Sequence, residues 1–402
     1  MKLIILIIFS ITLSFHLGAQ SAFDLENWNT ENSPLGSNTI QTMIFDQNGA
    51  LWIATDNGLF TKNGVDWTVY NTSNTDFPSN AIRSIAFDSA NNPAVGFFDH
   101  GFSLYDGENW VLYNKDNSAL PDNFVKFLKY DLNGALWIST TGGLVKKMNN
   151  DWTMWDSYNS IAWSNNFTKI VVDPTNNNKY VGSINGGFLV FIDDTLHSVE
   201  ISYTHNISDN TIHDILIRPN GELWCASPSG GLQMRFGYNI WAWFNSENSA
   251  LPSSSFNALI GTDLIYLSSH DQGLVIMDGD NFITINMNNS NLPTNYIVSV
   301  LLAEDEEVLW IATNSHGLFK LDLRTVSLSQ NSSIENAFYP NPNDGILNFR
   351  TPVSEISIRN ALGQIVYEYS GFDVNLIDIE SLYHGLYWIE IDGMPSQKII
   401  KR

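Results

Sequence analysis

Basic side chains recur at one position of a repeated segment, and their types suit recognition of an anion. Three residues after a recurrent Asn or Ser, the chain places Gln41, Arg83, Lys126, Lys169, His213, Asn257 and Val298. Cationic groups gathered at one rim attract anions, and an Arg can bind a carboxylate or sulfate through two hydrogen bonds. The alternative is that these side chains face neighbouring units and pair with acids there. We expect Arg83, Lys126, Lys169 and His213 to line a site for an anionic ligand.

Loop residues offer further chemistry. His100 and His270 stand beside Asp99 and Asp271, and such groups serve in metal binding or acid–base catalysis, although ordinary polar turns are the simpler interpretation. Trp163 lies outside the repeat pattern and offers a face for stacking on a sugar ring, with packing of its own loop as the alternative. We keep His100, His270 and Trp163 as candidate ligand-binding residues and expect no metal ion and no cofactor.

These residues are positioned by a repeated unit. The segment LWIAT at 51–55 returns as LWIST at 136–140 and as LWIAT at 309–313. A glycine follows each copy or its weaker equivalent, at positions 58, 101, 143, 187, 231, 273 and 317, so that successive glycines lie 42 to 44 residues apart. Such a period, with only strand-like segments between turns, is typical of propeller blades. The sequence predicts an all-β fold with a seven-bladed β-propeller over residues 21–324.

The first unit is preceded by a strand that belongs to no unit of its own. Trp28 matches a tryptophan that recurs near the end of later units as Trp67, Trp110 and Trp152, whereas the seventh unit lacks a clear last hairpin. An open ring would leave unpaired strand edges. We therefore expect the N-terminal strand around Trp28 to supply the outer strand of the seventh blade and to close the propeller.

The first twenty residues are typical of a secretory signal peptide. Lys2 precedes an apolar run from Leu3 to Phe15, and small residues for cleavage follow at Gly18 and Ala19. The apolar run is too short to span a bilayer well, and no later stretch is long and apolar enough to do so. We expect residues 1–20 to be removed and no transmembrane segment in the mature chain.

Composition excludes two classes of function. The formal net charge of −23 repels phosphate backbones, so we expect no nucleic-acid partner. The single cysteine, Cys225, excludes an intrachain disulfide framework and a thiolate metal cluster. We expect Cys225 to be a small buried strand residue.

The end of the chain has a different pattern. Residues 325–337 are rich in Ser and Asn and predict a linker, and residues 338–402 contain short alternating strands that predict a small β-sandwich. Turn, glycine and basic residues are spaced along this tail at Tyr339, Pro340, Asn341, Pro342, Gly345, Gly363, Gly385, Tyr387, Lys398 and Lys401.

The repeat resembles the two-component regulator propeller family. The segments that carry the resemblance are LPTN at 292–295, DLNG at 131–134 and LWIST at 136–140. Members of that family often form the periplasmic glycan-sensing half of hybrid histidine kinases. Because we expect neither a membrane helix nor a kinase here, the resemblance implies the binding scaffold and not the signalling.

The tail resembles the type A sorting domain of the type IX secretion system, on the ten motif residues given above. The resemblance implies that the type IX secretion machinery is a partner. It also implies passage through the periplasm and outer membrane of a gram-negative bacterium, followed by removal of the tail. The protein is then expected outside the cell or on the outer-membrane surface.

Three functions remain open from the sequence. The first is a secreted or cell-surface binding module, most simply for a polysaccharide or glycan. The second is a glycan-active hydrolase or lyase on the same propeller face, and the third is a structural or adhesive surface protein. We favour binding over catalysis because the sequence contains no nucleophile elbow, metal motif or local pair of carboxylates.

Overall fold

The computed structural model describes residues 23–401, except 202–206, 237–239, 280, 327–337, 340–344, 361–363, 384 and 393–396. The described elements are β-strands apart from one short 3-10 helix, Leu323–Thr325. No helix in this part of the chain is long and apolar enough to cross a membrane. The predicted signal peptide, residues 1–20, lies outside the described residues.

Sheets of four antiparallel strands follow one another along the chain, as is typical of a propeller. Strand β1 (Glu26–Trp28) comes first. The first sheet contains β2 (Ile40–Phe45), β3 (Leu51–Thr55), β4 (Gly58–Asn63) and β5 (Asp66–Tyr70). The second contains β6 (Ile82–Phe87), β7 (Pro93–Phe97), β8 (Phe102–Tyr105) and β9 (Trp110–Tyr113). The third contains β10 (Val125–Tyr130), β11 (Leu136–Thr140), β12 (Leu144–Met148) and β13 (Asp151–Trp155).

The same arrangement continues to residue 322. The fourth sheet contains β14 (Phe167–Val172), β15 (Lys179–Ser183), β16 (Phe188–Ile192) and β17 (Thr195–Glu200). The fifth contains β18 (Asp214–Ile217), β19 (Leu223–Ser227), β20 (Gly231–Phe236) and β21 (Ile240–Phe244). The sixth contains β22 (Phe256–Gly261), β23 (Ile265–Ser269), β24 (Leu274–Asp278) and β25 (Asn281–Ile285). The seventh contains β26 (Ile297–Leu302), β27 (Val308–Thr313) and β28 (Leu318–Asp322), together with β1.

The second strand of a sheet is its most deeply buried element. Every residue of β3, β7, β11, β15, β19 and β23 is buried. A strand that is covered on both faces is mostly apolar, which explains the nearly continuous apolar segments such as LWIAT. The Trp52 indole in this layer donates its Nε1–H to Oδ2 of Asp46 at 3.1 Å, so that its polar edge is satisfied.

The N-terminal strand completes the seventh sheet. Strand β1 pairs with β28, with Glu26 opposite Lys320 and Trp28 opposite Leu318. The Trp28 ring lies 5.3 Å from that of Trp310 on β27, measured between centroids. The first strand of this sheet, β26, contacts β2 of the first sheet.

A buried ion-pair network joins the third and fourth sheets. The Nζ of Lys179 lies 3.2 Å from Oδ2 of Asp131, contacts Asp194, and lies 5.1 Å from the centroid of the Trp137 ring. The same oxygen of Asp131 accepts a hydrogen bond of 3.0 Å from Nε1 of Trp137. The side chains of Lys179 and Asp131 are 1% and 0% exposed. Because a desolvated charge is stable only beside a partner, the buried charges of Lys179 and Asp131 depend on each other.

The tail consists of β-strands, as predicted, and its arrangement as a β-sandwich stays a prediction. Its strands are β29 (Phe338–Tyr339), β30 (Ile346–Asn360), β31 (Ile365–Asp378), β32 (Gly385–Ile391) and β33 (Gln397–Lys401). Among the described residues they form one five-stranded sheet. The sequence predicted short strands, whereas β30 is 15 residues long and shifts its pairing with β31 between Asn348 and Val353. The two halves of β30 have different neighbours: β29 pairs with Asn348 and Phe349, whereas β32 pairs with Ile356 to Asn360.

Several predicted sorting residues lie within this sheet. Tyr339 is in β29, Gly345 precedes β30, Gly385 and Tyr387 are in β32, and Lys398 and Lys401 are in β33. The buried Tyr387 donates its hydroxyl to the carbonyl of Tyr383 at 2.7 Å. Pro340, Asn341, Pro342 and Gly363 lie outside the described residues.

Replacing Lys179 with Met should destabilise the protein. We expect the free energy of unfolding to fall by about 3 kcal/mol, because Asp131 is left as a buried charge without its cation. Urea unfolding followed by tryptophan fluorescence measures this change.

Lys62→Met is the matched control. Lys62 also lies over a tryptophan ring, 4.7 Å from the Trp28 centroid, but its ammonium has no carboxylate within 4.0 Å among the described residues. We expect this control to lose less than about 1 kcal/mol. Equal losses in the two variants would show that the carboxylate pairing of Lys179 is not what stabilises the fold.

Candidate functional site

The first strand of each sheet contacts the first strand of the next sheet, and we call these the innermost strands, the last strand of each sheet being the outermost. The residues predicted to bind an anion lie at a break in the pairing of the innermost strands. In the second sheet, Ile82 pairs with Phe97 and Ser84 pairs with Gly96, so that Arg83 has no partner across the strand. Such a β-bulge bends the strand and redirects the side chain of the extra residue. The corresponding break leaves out Gln41, Lys126, Asn257 and Val298 in their sheets, and both Thr168 and Lys169 in the fourth sheet.

These side chains meet in one cavity of about 380 Å³. The residues at the predicted positions that line it are Gln41, Arg83, Lys126, Lys169, His213, Asn257 and Val298. In the fifth sheet, His213 directly precedes β18 and donates its backbone N–H to the carbonyl of Ala226 at 2.9 Å. The fold therefore gathers the four predicted residues Arg83, Lys126, Lys169 and His213, and their role in binding stays a prediction.

Lys169 reaches the cavity one position later than the repeat predicts. We expected Asn166 to mark the start of the fourth unit. Instead, Asn165 accepts the hydrogen bond, from the N–H of Ser157 at 2.7 Å, that marks this position in the other loops. Thr168 is therefore the true equivalent, and Lys169 is the second residue of a wider bulge. The prediction was wrong by one residue because two asparagines stand side by side.

Arg83 is a half-buried cation with neutral hydrogen-bond partners. Its Nη1 donates to Oε1 of Gln41, and Nε2 of Gln41 donates to Oδ1 of Asp56 at 2.6 Å. No carboxylate of the described residues lies within 4.0 Å of the guanidinium. Burial lowers the pKa of Arg83, and the charge of Asp56 acts in the opposite direction. The group stays charged at neutral pH because its pKa begins so high.

Lys126 is the second cavity cation without a carboxylate partner within 4.0 Å in the described part of the chain. Its Nζ donates to Oδ1 of Asn166 and lies 5.9 Å from the centroid of the Phe124 ring. Burial, and then the charge of Arg83, lower the pKa of Lys126 to about 8. The ammonium is therefore charged at neutral pH at a cost in stability that a bound anion would offset.

Lys169 is neutralised inside the protein. Its Nζ lies 2.9 Å from Oδ1 of Asp214, whose side chain is 7% exposed. Asp214 also accepts the backbone N–H groups of Ile215 at 2.8 Å and Leu259 at 3.1 Å. The ammonium lies 4.7 Å from the centroid of the Phe127 ring. The geometry of Lys169 therefore fits the alternative expectation, in which the basic side chain pairs with an acid, better than that of a cation available to a ligand.

His213 presents a neutral imidazole at pH 7. Burial lowers its pKa from 6.5, against opposing effects of Asp209 and of a hydrogen bond with Asn257. A histidine with a lowered pKa is uncharged at neutral pH and offers hydrogen bonds instead of charge. Asn257 is held in turn by its Nδ2, which donates to the carbonyl of Ile297 at 2.8 Å.

The remaining predicted residues lie outside the cavity lining. The His270 ring lies 4.0 Å from that of Tyr296, between centroids, and Tyr296 does line the cavity. His100 contacts Asp99, and both side chains are exposed. Trp163 is 66% exposed in the loop before β14. His270 therefore contacts a residue of the cavity lining, whereas His100 and Trp163 are exposed loop residues.

Aromatic residues beside the cavity were not predicted. Phe98 and Phe124 pack with their ring centroids 4.4 Å apart, and Phe98 donates its backbone N–H to the carbonyl of Ala81 at 3.1 Å. Phe124 and Tyr296 directly follow the recurrent Asn, where the other units have small or polar residues. That departure from the repeat is the signal that would have identified them.

The cavity is equipped for binding more than for acid–base chemistry. Its only described carboxylate is Asp214, which Lys169 neutralises. Burial would raise the pKa of Asp271, but hydrogen bonds from Ser253 and Ser269 leave it lowered, so this carboxyl is a poor general acid. No cluster of three or more His, Cys, Asp or Glu in the described residues is placed to hold a metal ion.

Family models match one segment in each of the two parts of the chain. Residues 337–402 match the secretion system C-terminal sorting domain, and residues 34–57 match the two component regulator propeller. No curated protein matches the chain. A sorting domain of this type indicates export to the cell surface or the extracellular space.

Solved structures with a similar fold include surface and extracellular proteins. PorZ, an essential surface component of the type IX secretion system of Porphyromonas gingivalis, is 17% identical with a TM-score of 0.60, over 92% of this chain and 60% of that chain. The extracellular domain of the hybrid two component system BT3049 from B. thetaiotaomicron is 18% identical with a TM-score of 0.64, over 94% and 57%. Virginiamycin B lyase from Staphylococcus aureus is 12% identical with a TM-score of 0.59, over 75% and 99%.

The chain thus spans about 60% of the length of the first two structures, and at these identities the similarity shows the fold alone. The family matches give information that fold similarity alone does not provide. The chain carries two component regulator propeller repeats and, at its C-terminus, a sorting domain of the type IX secretion system.

Proposed function

We propose that this protein is a secreted or cell-surface binding module that holds an acidic glycan in its cavity through Arg83 and Lys126. One observation carries the proposal: equivalent positions of successive sheets meet in the cavity, and two of their cations have only neutral hydrogen-bond partners among the described residues. A carboxylate or sulfate that contacts both groups replaces the solvent that they lose on burial.

We further propose that the sheets are the seven blades of a closed propeller over residues 21–324, followed by a linker at 325–337 and an export domain at 338–402. The innermost strands of successive sheets contact one another, including β26 with β2, and β1 pairs with β28. Closure removes the free strand edges that otherwise favour aggregation. The export domain would bring the propeller, with its cavity, outside the cell.

Neutral groups beside the cations favour a sugar over an inorganic anion. Gln41, His213 and Asn257 line the same cavity and suit hydrogen bonds with hydroxyl groups. Phe98, which is 51% exposed, and Phe124 present rings at the margin, and aromatic faces pack against the apolar faces of sugar rings. A uronic acid or a sulfated sugar combines all three features.

The double variant Arg83→Gln/Lys126→Met should lose binding of acidic glycans. We expect the affinity to fall by about a hundredfold, because each charge-assisted hydrogen bond contributes about 1.5 kcal/mol or more. A screen of uronic-acid and sulfated glycans identifies the ligand, and titration calorimetry measures the affinity. Lys115→Met/Arg324→Gln removes one Lys and one Arg outside the cavity lining and should bind as the wild type does.

Thermal unfolding of both variants checks that they are folded. The proposal fails if the folded wild type binds none of these glycans. It also fails if the cavity variant binds them as strongly as the control variant does.

Binding should weaken at alkaline pH because of Lys126. Its pKa of about 8 in the free protein means that it is protonated at neutral pH and loses its charge as the pH rises through that value. We expect the affinity for an oligogalacturonate, whose carboxylates stay ionised, to fall about tenfold between about pH 7 and about pH 9.5. Calorimetry at several pH values measures the slope of the affinity against pH. In Lys126→Met the slope should disappear, and an unchanged slope would assign the pH dependence to another group.

A further inference from the structure

The loops that cross from the outermost strand of one sheet to the innermost strand of the next share one hydrogen-bonded backbone. In the loop at 114–123, the N–H of Asn114 bonds to Oδ1 of Asn117 at 2.8 Å. The next N–H, of Lys115, bonds to Oδ1 of Asn123 at 2.9 Å. These bonds account for the asparagines that recur along the chain.

The loop at 156–165 keeps this backbone. The N–H of Asp156 bonds to Oδ1 of Asn159 at 2.9 Å, and the N–H of Ser157 bonds to Oδ1 of Asn165 at 2.7 Å. The backbone of this loop therefore does not require different side chains from those of the other loops at its solvent-exposed positions.

Three such positions nevertheless carry large apolar side chains in this loop. Tyr158, Ile161 and Trp163 occupy the third, sixth and eighth positions, and they are 92%, 56% and 66% exposed. In the other five loops of this kind whose residues are all described, these positions hold polar or acidic residues, Ala, Gly or Pro. Exposed large apolar groups that the fold does not need are typical of a contact surface.

The position of the loop connects this surface to the cavity. The loop begins at the outermost strand of the third sheet, β13, and ends at the innermost strand of the fourth, β14. Asn166, directly after it, accepts the hydrogen bond from Nζ of Lys126. Trp163 is three residues from Asn166, which places the two Cα atoms within about 11 Å of each other. We refer to the three side chains as the track, and its last member, Trp163, is the one nearest in sequence to the residue that binds the cavity cation.

We propose that this track, Tyr158–Ile161–Trp163, is an extended subsite on which further sugar units of a glycan chain pack after its acidic unit has bound in the cavity. The inference rests on the proposed function and adds that the ligand is a polymer and not a monosaccharide. One loop offers a narrow strip, smaller than the roughly 800 Å² per partner of a stable protein interface. Two of its three side chains are aromatic, as packing on sugar rings requires.

The test compares chain lengths. Tyr158→Asp/Ile161→Ala/Trp163→Pro gives the loop the residues that stand at the same positions of the 114–123 loop, so the backbone scaffold is retained. Calorimetry of the full chain uses size ladders of oligogalacturonate, alginate and chondroitin sulfate fragments, from the shortest unit to the octasaccharide. We expect the wild-type affinity to rise about tenfold or more with length, and the loop variant to bind all lengths as the wild type binds the shortest.

Other outcomes overturn the inference. A length dependence that persists in the loop variant, or a wild-type affinity independent of length, leaves the cavity site standing and removes the track. A wild type that binds no fragment of any length contradicts the proposed function itself. If sedimentation shows that the loop variant changes the oligomeric state instead of the length dependence, the strip is a contact between copies of the chain.

Discussion

The extra residue near the start of the innermost strands is the constraint on which the site depends. Strand pairing fixes which residues must pack between neighbouring sheets, as Ile82 and Ser84 do, each 1% exposed. A residue that leaves the ladder at a bulge is released from that packing requirement. The same position can therefore hold Gln, Arg, Lys, Asn or Val without disturbing the core, and the repeat brings these side chains into one cavity.

Three lysines show that the partners of a partly or fully buried ammonium group determine whether it stabilises the fold or is available to a ligand. Lys179 is fully buried between Asp131 and Asp194, so its charge contributes to the packing of two sheets. Lys169 faces the cavity but is neutralised by Asp214. In the described part of the chain, Lys126 has the amide of Asn166 as its hydrogen-bond partner and no carboxylate within 4.0 Å, and its pKa falls to about 8. A partly desolvated cation of this kind is the feature that sets the cavity apart from the structural ion pairs.

Much of the fold could be predicted because the same pattern of strands and turns recurs in each sequence repeat. The glycine spacing predicted the succession of four-stranded sheets, and the recurrent Asn located the cavity positions to within one residue. Asn165 and Asn166 could not be distinguished, because the marker is a hydrogen bond and not a residue type. The length of β30 was missed because no sequence pattern separates one strand with a pairing shift after Asn348 from two short strands. The Phe98–Phe124 contact joins different sheets, which spacing along the chain does not report.

We propose that Arg83 and Lys126 together hold an anionic sugar in the cavity formed by the bulge residues. A crystal structure of the full chain with an acidic oligosaccharide selected in the glycan screen tests it most directly. We expect a carboxylate or sulfate of the ligand within hydrogen-bond distance of both the Arg83 guanidinium and the Lys126 ammonium. A ligand bound away from these groups, or a cavity that stays closed to a glycan which the protein binds in solution, would contradict it.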